Sequence, residues 1–146
     1  MAMTIHPLAT PYSAAARPEM TGGRRVGVLL SHGFTGQPAS ITPWGQALAE
    51  HGYAVEVPRL PGHGTTWEEL NTLTWADWYG ELTKALDKLV DENDAVVVGG
   101  LSMGGALVLR LAANLFWRER GDARRAGDAR QRAGRREEEV VGAQQP

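Results

Sequence analysis

Residues 95–113 admit few local geometries. The apolar, β-branched run Ala95-Val96-Val97-Val98-Gly99 leads straight into Gly100-Leu101-Ser102-Met103-Gly104, and Ala106-Leu107-Val108-Leu109-Arg110-Leu111-Ala112-Ala113 follows with no internal Gly or Pro. The first run reads as a strand and the last as a helix. A serine between them sits on a sharp strand-to-helix turn. There it occupies strained backbone space, and a side chain at either flanking position would collide with the neighbouring strand or helix. Gly100 and Gly104 meet that demand. Five-residue patterns of this kind also arise by chance, and a glycine-rich strand–helix turn can serve packing or phosphate binding instead, so the pattern carries weight only through its flanks.

A serine hydroxyl is a poor nucleophile at neutral pH. Acyl-transfer sites mount it where the backbone forces the oxygen outward and a histidine can take its proton. Ser102 is therefore the candidate nucleophile. A second strand-like run, Val26-Gly27-Val28-Leu29-Leu30, is followed by the glycine-bearing loop Ser31-His32-Gly33-Phe34-Thr35-Gly36. Negative charge on a tetrahedral intermediate is stabilised by fixed backbone N–H groups more cheaply than by water that must reorganise. The two expected donors are the amides of Phe34 and Met103, the latter following the nucleophile.

Taken together, His32-Gly33-Phe34-Thr35-Gly36, Pro58-Arg59-Leu60-Pro61-Gly62-His63-Gly64, Trp75-Ala76-Asp77-Trp78-Tyr79 and Gly100-Leu101-Ser102-Met103-Gly104 are far more specific than any one of them. From Gly27 to about Ala113 the chain resembles the first half of an α/β-hydrolase, nearest the bacterial carboxylesterase and monoacylglycerol lipase group. The resemblance implies a partial α/β-hydrolase fold, a parallel sheet flanked by helices that lacks the C-terminal strands and lid. It implies ester hydrolysis through an acyl-serine intermediate on lipid-like or medium-chain esters such as monoacylglycerols, with no metal and no organic cofactor. Acyltransferase or thioesterase chemistry on the same scaffold is a further alternative.

A chain of 146 residues can build one domain with a real core. It carries 15 Lys and Arg against 17 Asp and Glu, so nothing draws it toward nucleic acid. The balance shifts along its length: residues 1–117 hold 7 basic and 11 acidic side chains, a net of −4, and residues 118–146 hold 8 basic and 6 acidic, a net of +2. The absence of cysteine excludes disulfides and thiolate metal sites. Met1-Ala2-Met3-Thr4-Ile5-His6-Pro7 lacks the charged start and apolar stretch of a secretory signal, and no run approaches membrane-spanning length, so a cytoplasmic protein is expected.

Residues 1–25, rich in Pro, Ala, Ser and Gly, read as a loosely ordered leader with one edge strand around Leu8 to Tyr12. Residues 26–117 read as the hydrolase part. Within it Val26–Leu30 is a buried central strand. A helix starts at Thr42 as N-cap with Pro43 in the first helical position, and Gly52 closes it. Tyr53–Val57 is the next strand, and residues 58–72 form a long connection of the kind that lines sites. Thr74 and Asp77 have capping-pair spacing, and Trp78, Leu82, Leu86 and Leu89-Val90 recur along one helical face. Three successive strand–helix units imply a parallel sheet with ligands at the carboxyl ends of its strands.

Residues 118–146 contain no aromatic residue, no Leu and no Ile. They cannot bury enough apolar surface to repay their ordering entropy. They read as a disordered tail beyond about Gly121, with a solvated helix as the alternative, and their Arg/Ala/Gly/Glu bias matches a GC-rich gene read out of frame.

The chain also lacks a feature that a serine hydrolase needs. In this fold the order is nucleophile, acid, histidine, yet His6, His32, His51 and His63 all precede Ser102. The resemblance assigns the position of His32 to the oxyanion loop and that of His63 to a structural turn, and His51 reads as a helix-end residue. Asp122 and Asp128 follow Ser102 with no strand to position them. Candidate pocket residues are His32 and Trp67, while Trp78 reads as packing. The expectation is a truncated hydrolase, weakly active or inactive alone. A second polypeptide carrying the missing half would pair with the open sheet edge. The alternative is a non-catalytic remnant or interaction fragment.

Overall fold

The computed structural model describes residues 5–117 and residue 121. By internal contacts the chain divides into two units at Leu111/Ala112. In the first, strands β1 (Tyr12–Ala14), β2 (Val26–Ser31), β3 (Ala54–Val57) and β4 (Ala95–Gly100) form one sheet in the order β1-β3-β2-β4. Helices α1 (Thr42–Glu50), α2 (Trp67–Leu70) and α3 (Trp75–Glu92) connect them. A further helix, α4, occupies residues 103–117 after β4.

β2 pairs in parallel with both β3 and β4, and β1 pairs antiparallel with β3 through Tyr12↔Val57. The three expected parallel strands are present, and the sheet as a whole is mixed because β1 runs the other way. Chain order explains the arrangement. A parallel crossover needs a helix-length connection, and the segment between β1 and β2 carries only a 3-10 turn at Pro18–Met20. The edge strand lies at Tyr12–Ala14, later than expected, with Leu8 in a 3-10 turn. The leader read as loosely ordered is tied down over this span: the Arg17 amide donates to the Gly52 carbonyl and the His6 amide to that of Gly64.

Alternation sorts the side chains between two faces. Val28, Leu30, Val55 and Val57 form a buried cluster with Ile41, against which Leu48, Ala49 and Tyr12 pack. α1 lies close to this face at Gly45, where an added Cβ would stand 3.1 Å from Val55 and from Val57. On the opposite face α3 buries Leu82, Leu86 and Leu89, and a Cβ on Gly27 would stand 3.0 Å from Leu89. Val90, expected on this stripe, is 38% exposed, one step of about 100° beyond it.

Two local readings shift by a residue. Ile41 is the residue before α1, so Thr42 and Pro43 are both helical, and the Thr42 hydroxyl donates to the Pro38 carbonyl. Gly52 does end the segment, with φ of 92°. The Thr74–Asp77 pair forms as its spacing predicts: the Asp77 carboxylate accepts from the Thr74 amide at 2.7 Å and its hydroxyl at 2.8 Å, which holds the Asp77 pKa below its ordinary value. The tail expectation falls, apart from Gly121, outside the described residues.

Candidate functional site

β2 and β4 are neighbours in space, but the chain reaches β4 only after passing over to β3 and back. Their carboxyl ends therefore flank the point where strand order reverses, which is where open α/β sheets bind ligands. The loop after β2 and the turn after β4 meet there. The Leu101 amide donates to the Ser31 carbonyl at 3.0 Å.

Ser102 is exposed and has φ of 50°, a left-handed conformation that costs a non-glycine residue energy and persists only where the surroundings impose it. The surroundings are tight. A Cβ on Gly100 would meet the Gly104 carbonyl carbon at 2.5 Å and the Gly105 nitrogen at 2.7 Å. One on Gly104 would collide with the carbonyl oxygens of Ser31 and His32. The two glycines thus let the end of β4 and the start of α4 close onto the end of β2. Gly33 lies beside the serine: a Cβ there would be 3.4 Å from that of Ser102 and 3.2 Å from the Leu101 carbonyl oxygen. The Phe34-bearing loop and the serine turn are brought together as the sequence predicts. Neither the Phe34 nor the Met103 amide has a hydrogen-bond acceptor among the described residues. Thr35 also has a positive φ, 56°, which no sequence signal announced.

The two candidate pocket residues lie in different surroundings. Trp67 lines a cavity of about 330 Å³ with Phe34, Thr35, Leu70, Asn71, Leu73 and Trp78. His32 does not line it. The His32 ring is fully buried; its Nδ1 donates to the Gly33 carbonyl at 3.0 Å and its Nε2 accepts from the Leu60 amide at 3.2 Å. Those partners fix one neutral tautomer, and burial pushes its pKa down to about 4. The ring ties the loop after β2 to the segment after β3.

His63 is equally buried. Its Nδ1 donates to the Pro61 carbonyl at 3.2 Å, its Nε2 has no partner among the described residues, and burial lowers its pKa. The same Pro61 carbonyl accepts from Trp78 Nε1 at 3.0 Å. The His63 ring stands 4.9 Å from that of His32 and 5.6 Å from that of Trp78, and Phe34 and Trp78 are 5.7 Å apart. Trp78 therefore both packs and lines the cavity, a dual position that helical periodicity alone does not separate. Leu70, Asn71 and Leu73 also line the cavity; the long connection over residues 58–72 is the signal for Leu70 and Asn71, and no sequence signal points to Leu73.

His51 caps the end of α1, its Nδ1 donating to the Ala47 carbonyl at 2.8 Å, and His6 accepts the Leu8 amide. Among the described residues no three His, Asp or Glu side chains gather as a metal site, and no helix is long and apolar enough to cross a membrane.

A strained serine at the switch point, two glycines that no side chain can replace and a glycine loop packed against the serine define a class of protein, and sequence comparison agrees. The chain belongs to the alpha/beta hydrolase family, whose model matches residues 28–141. That match runs past Ala113, the expected end of the resemblance. The chain is 43% identical over 102 residues to a thermostable monoacylglycerol lipase of Bacillus sp. strain H-257, covering 70% of this chain and 41% of that protein. It is 38% identical over 85 residues to a carboxylesterase of Bacillus subtilis strain 168, covering 58% and 35%. A solved structure reported with the metagenome-derived lipolytic enzymes LipS and LipT superposes with a TM-score of 0.64 at 40% identity, over 71% of this chain and 40% of that one. The chain spans about two fifths of the length of the curated relatives it matches.

Proposed function

We propose that this chain carries the nucleophile and oxyanion elements of a carboxylic ester hydrolase, acting on carboxylic esters of the monoacylglycerol or simple carboxylester type. Ser102 Oγ attacks the ester carbonyl carbon, the carbonyl oxygen takes the negative charge toward the Phe34 and Met103 amides, and collapse expels the alcohol to leave an acyl-serine that water then cleaves. The apolar cavity beside Phe34 accepts the hydrocarbon part of the ester. The observation that carries this reading is the left-handed Ser102 held between Gly100 and Gly104 with Gly33 against it.

Proton removal from Ser102 requires a base that none of the four histidines supplies. The one ring nitrogen of His32 with a free lone pair already accepts the Leu60 amide, and His63 is sealed among aromatic rings. The base and acid are proposed to come from the remainder of the fold, which the matched relatives carry over the other three fifths or so of their length. Loss of the base from a serine triad costs about 10⁶ in turnover, so this chain alone should hydrolyse esters slowly. The same observation favours a second reading, a chain that keeps the sheet and performs no turnover.

A fluorophosphonate probe tests both. Slow labelling that maps to Ser102 and disappears in Ser102→Ala supports the hydrolase reading. Labelling elsewhere, or none in a chain with intact circular dichroism, favours the non-catalytic one.

A further inference from the structure

Two non-glycine residues have a positive φ among the described residues, Ser102 and Thr35. Thr35 is the third residue of a turn that closes where the Gly36 amide donates to the Gly33 carbonyl at 3.1 Å. A positive φ at that position is what glycine supplies without steric cost. A β-branched residue is disfavoured there, and strain of this kind collects at ligand clamps as well as at nucleophiles. The Thr35 hydroxyl makes no hydrogen bond among the described residues. Thr35 lines the cavity of about 330 Å³ and lies two positions from Gly33, where an added Cβ would stand 3.4 Å from that of Ser102.

The rest of the lining narrows what Thr35 can meet. Apart from Asn71 the other walls are aliphatic or aromatic, and the Trp78 indole N–H is already engaged with the Pro61 carbonyl at 3.0 Å. No lining side chain is charged, so a cationic or anionic group would enter without a counter-charge. A neutral hydroxyl also loses solvation on leaving water, and a protein hydroxyl that can donate and accept offsets that loss. Thr35 and Asn71 are both exposed, on the side of the cavity open to solvent. We propose that Thr35 is a specificity-determining residue: its Oγ1 hydrogen-bonds a free hydroxyl on the alcohol part of the ester, so that esters of a polyhydric alcohol are preferred over those of a simple one. The hydrocarbon part stays against the aromatic walls. This rests on the ester-hydrolase reading and adds to it which alcohol the site favours. Thr35 takes no part in bond making at Ser102.

Trp67 and Trp78 line the cavity, so binding is read from tryptophan emission of the full 146-residue chain. The probes are 1-O-hexylglycerol and hexyl propyl ether, the same skeleton without its two hydroxyls. Neither ether is an ester, so the readout is independent of turnover. The measure is the ratio of the two dissociation constants. Parent and Thr35→Ser should share one ratio. Thr35→Val, of nearly the same shape, and Thr35→Gly, which relieves the backbone, should each shift it about tenfold against the glycerol ether. Thr35→Gly should also melt no lower than its parent. The proposal is overturned if neither ether binds, if the ratio survives in Thr35→Val and Thr35→Gly, or if Thr35→Ser loses it as Thr35→Val does. It is equally overturned if Asn71→Leu alone abolishes the preference, or if Thr35→Gly melts well below its parent and so shows that the side chain serves folding. Ser102 labelling by the fluorophosphonate with an unmoved ratio in the Thr35 variants removes only the role of Thr35. A ratio that shifts as expected in a chain without labelling removes only the hydrolase reading.

Discussion

β2 and β4 are alike in sequence and unlike in circumstance. Both are six-residue parallel strands of Val, Leu, Ala and Gly, apart from Ser31 at the end of β2, and they are paired residue for residue from Val26↔Ala95 to Ser31↔Gly100. From Gly27 to Ser31 every residue of β2 is buried, whereas no residue of β4 is, and Val97 is 56% exposed. β2 has a strand on each side and a helix on each face. β4 has a strand on one side only among the described residues, and its Val97, Val98 and Gly99 border an apolar hollow of about 390 Å³ below Trp44. Composition decides that a segment becomes a strand; neighbours decide what that strand contributes to stability.

The contrast can be broken where the two strands converge. Gly104→Val would drive a side chain into the Ser31 and His32 carbonyls. It is expected to abolish the cooperative thermal transition followed by circular dichroism, because neither backbone can retreat. Within the strands the contrast can be sharpened. Leu29→Ala, at a fully buried β2 position, should cost about 2–5 kcal/mol in urea unfolding. Val97→Ala in β4 should cost less than about 1 kcal/mol, and equal losses would show that β4 is covered in solution.

The smallest expected effect lies in the pH dependence beyond the end of β2. The His32 pKa falls from 6.5 to about 4, and that of His63 is lowered in the same direction. A depressed base binds fewer protons folded than unfolded between those two values. Stability is therefore complete above about pH 6.5 and declines as pH falls toward 4. Urea unfolding at a series of pH values should show this slope, and His32→Asn should flatten it, leaving only the share due to His63.

Much of the serine turn was legible because its constraints are local. A strand, a G-x-S-x-G pattern and a helix lie within twenty residues, and the glycines are required by atoms a few positions away or by the adjoining strand. The Thr74–Asp77 cap was legible for the same reason. Trp78 was not, since whether it packs or lines a cavity depends on Phe34 and Pro61, 44 and 17 positions distant. Nor was His32, whose role follows from a Leu60 amide 28 residues away. The position of β1 depends on its pairing with β3, where Tyr12 meets Val57, 45 positions away.

By itself the sequence determined the strained serine, the glycines around it, the alternation of strands and helices and the lack of any histidine after Ser102, because steric demand, periodicity and residue order are properties of neighbouring positions. Only the tertiary structure decided that His32 is buried and neutral, that Trp67 and Trp78 share one cavity and that β4, equally apolar in sequence, is left partly exposed. Burial and hydrogen-bond partnership are set by what arrives from elsewhere in the chain, and desolvation acts only once those groups have met.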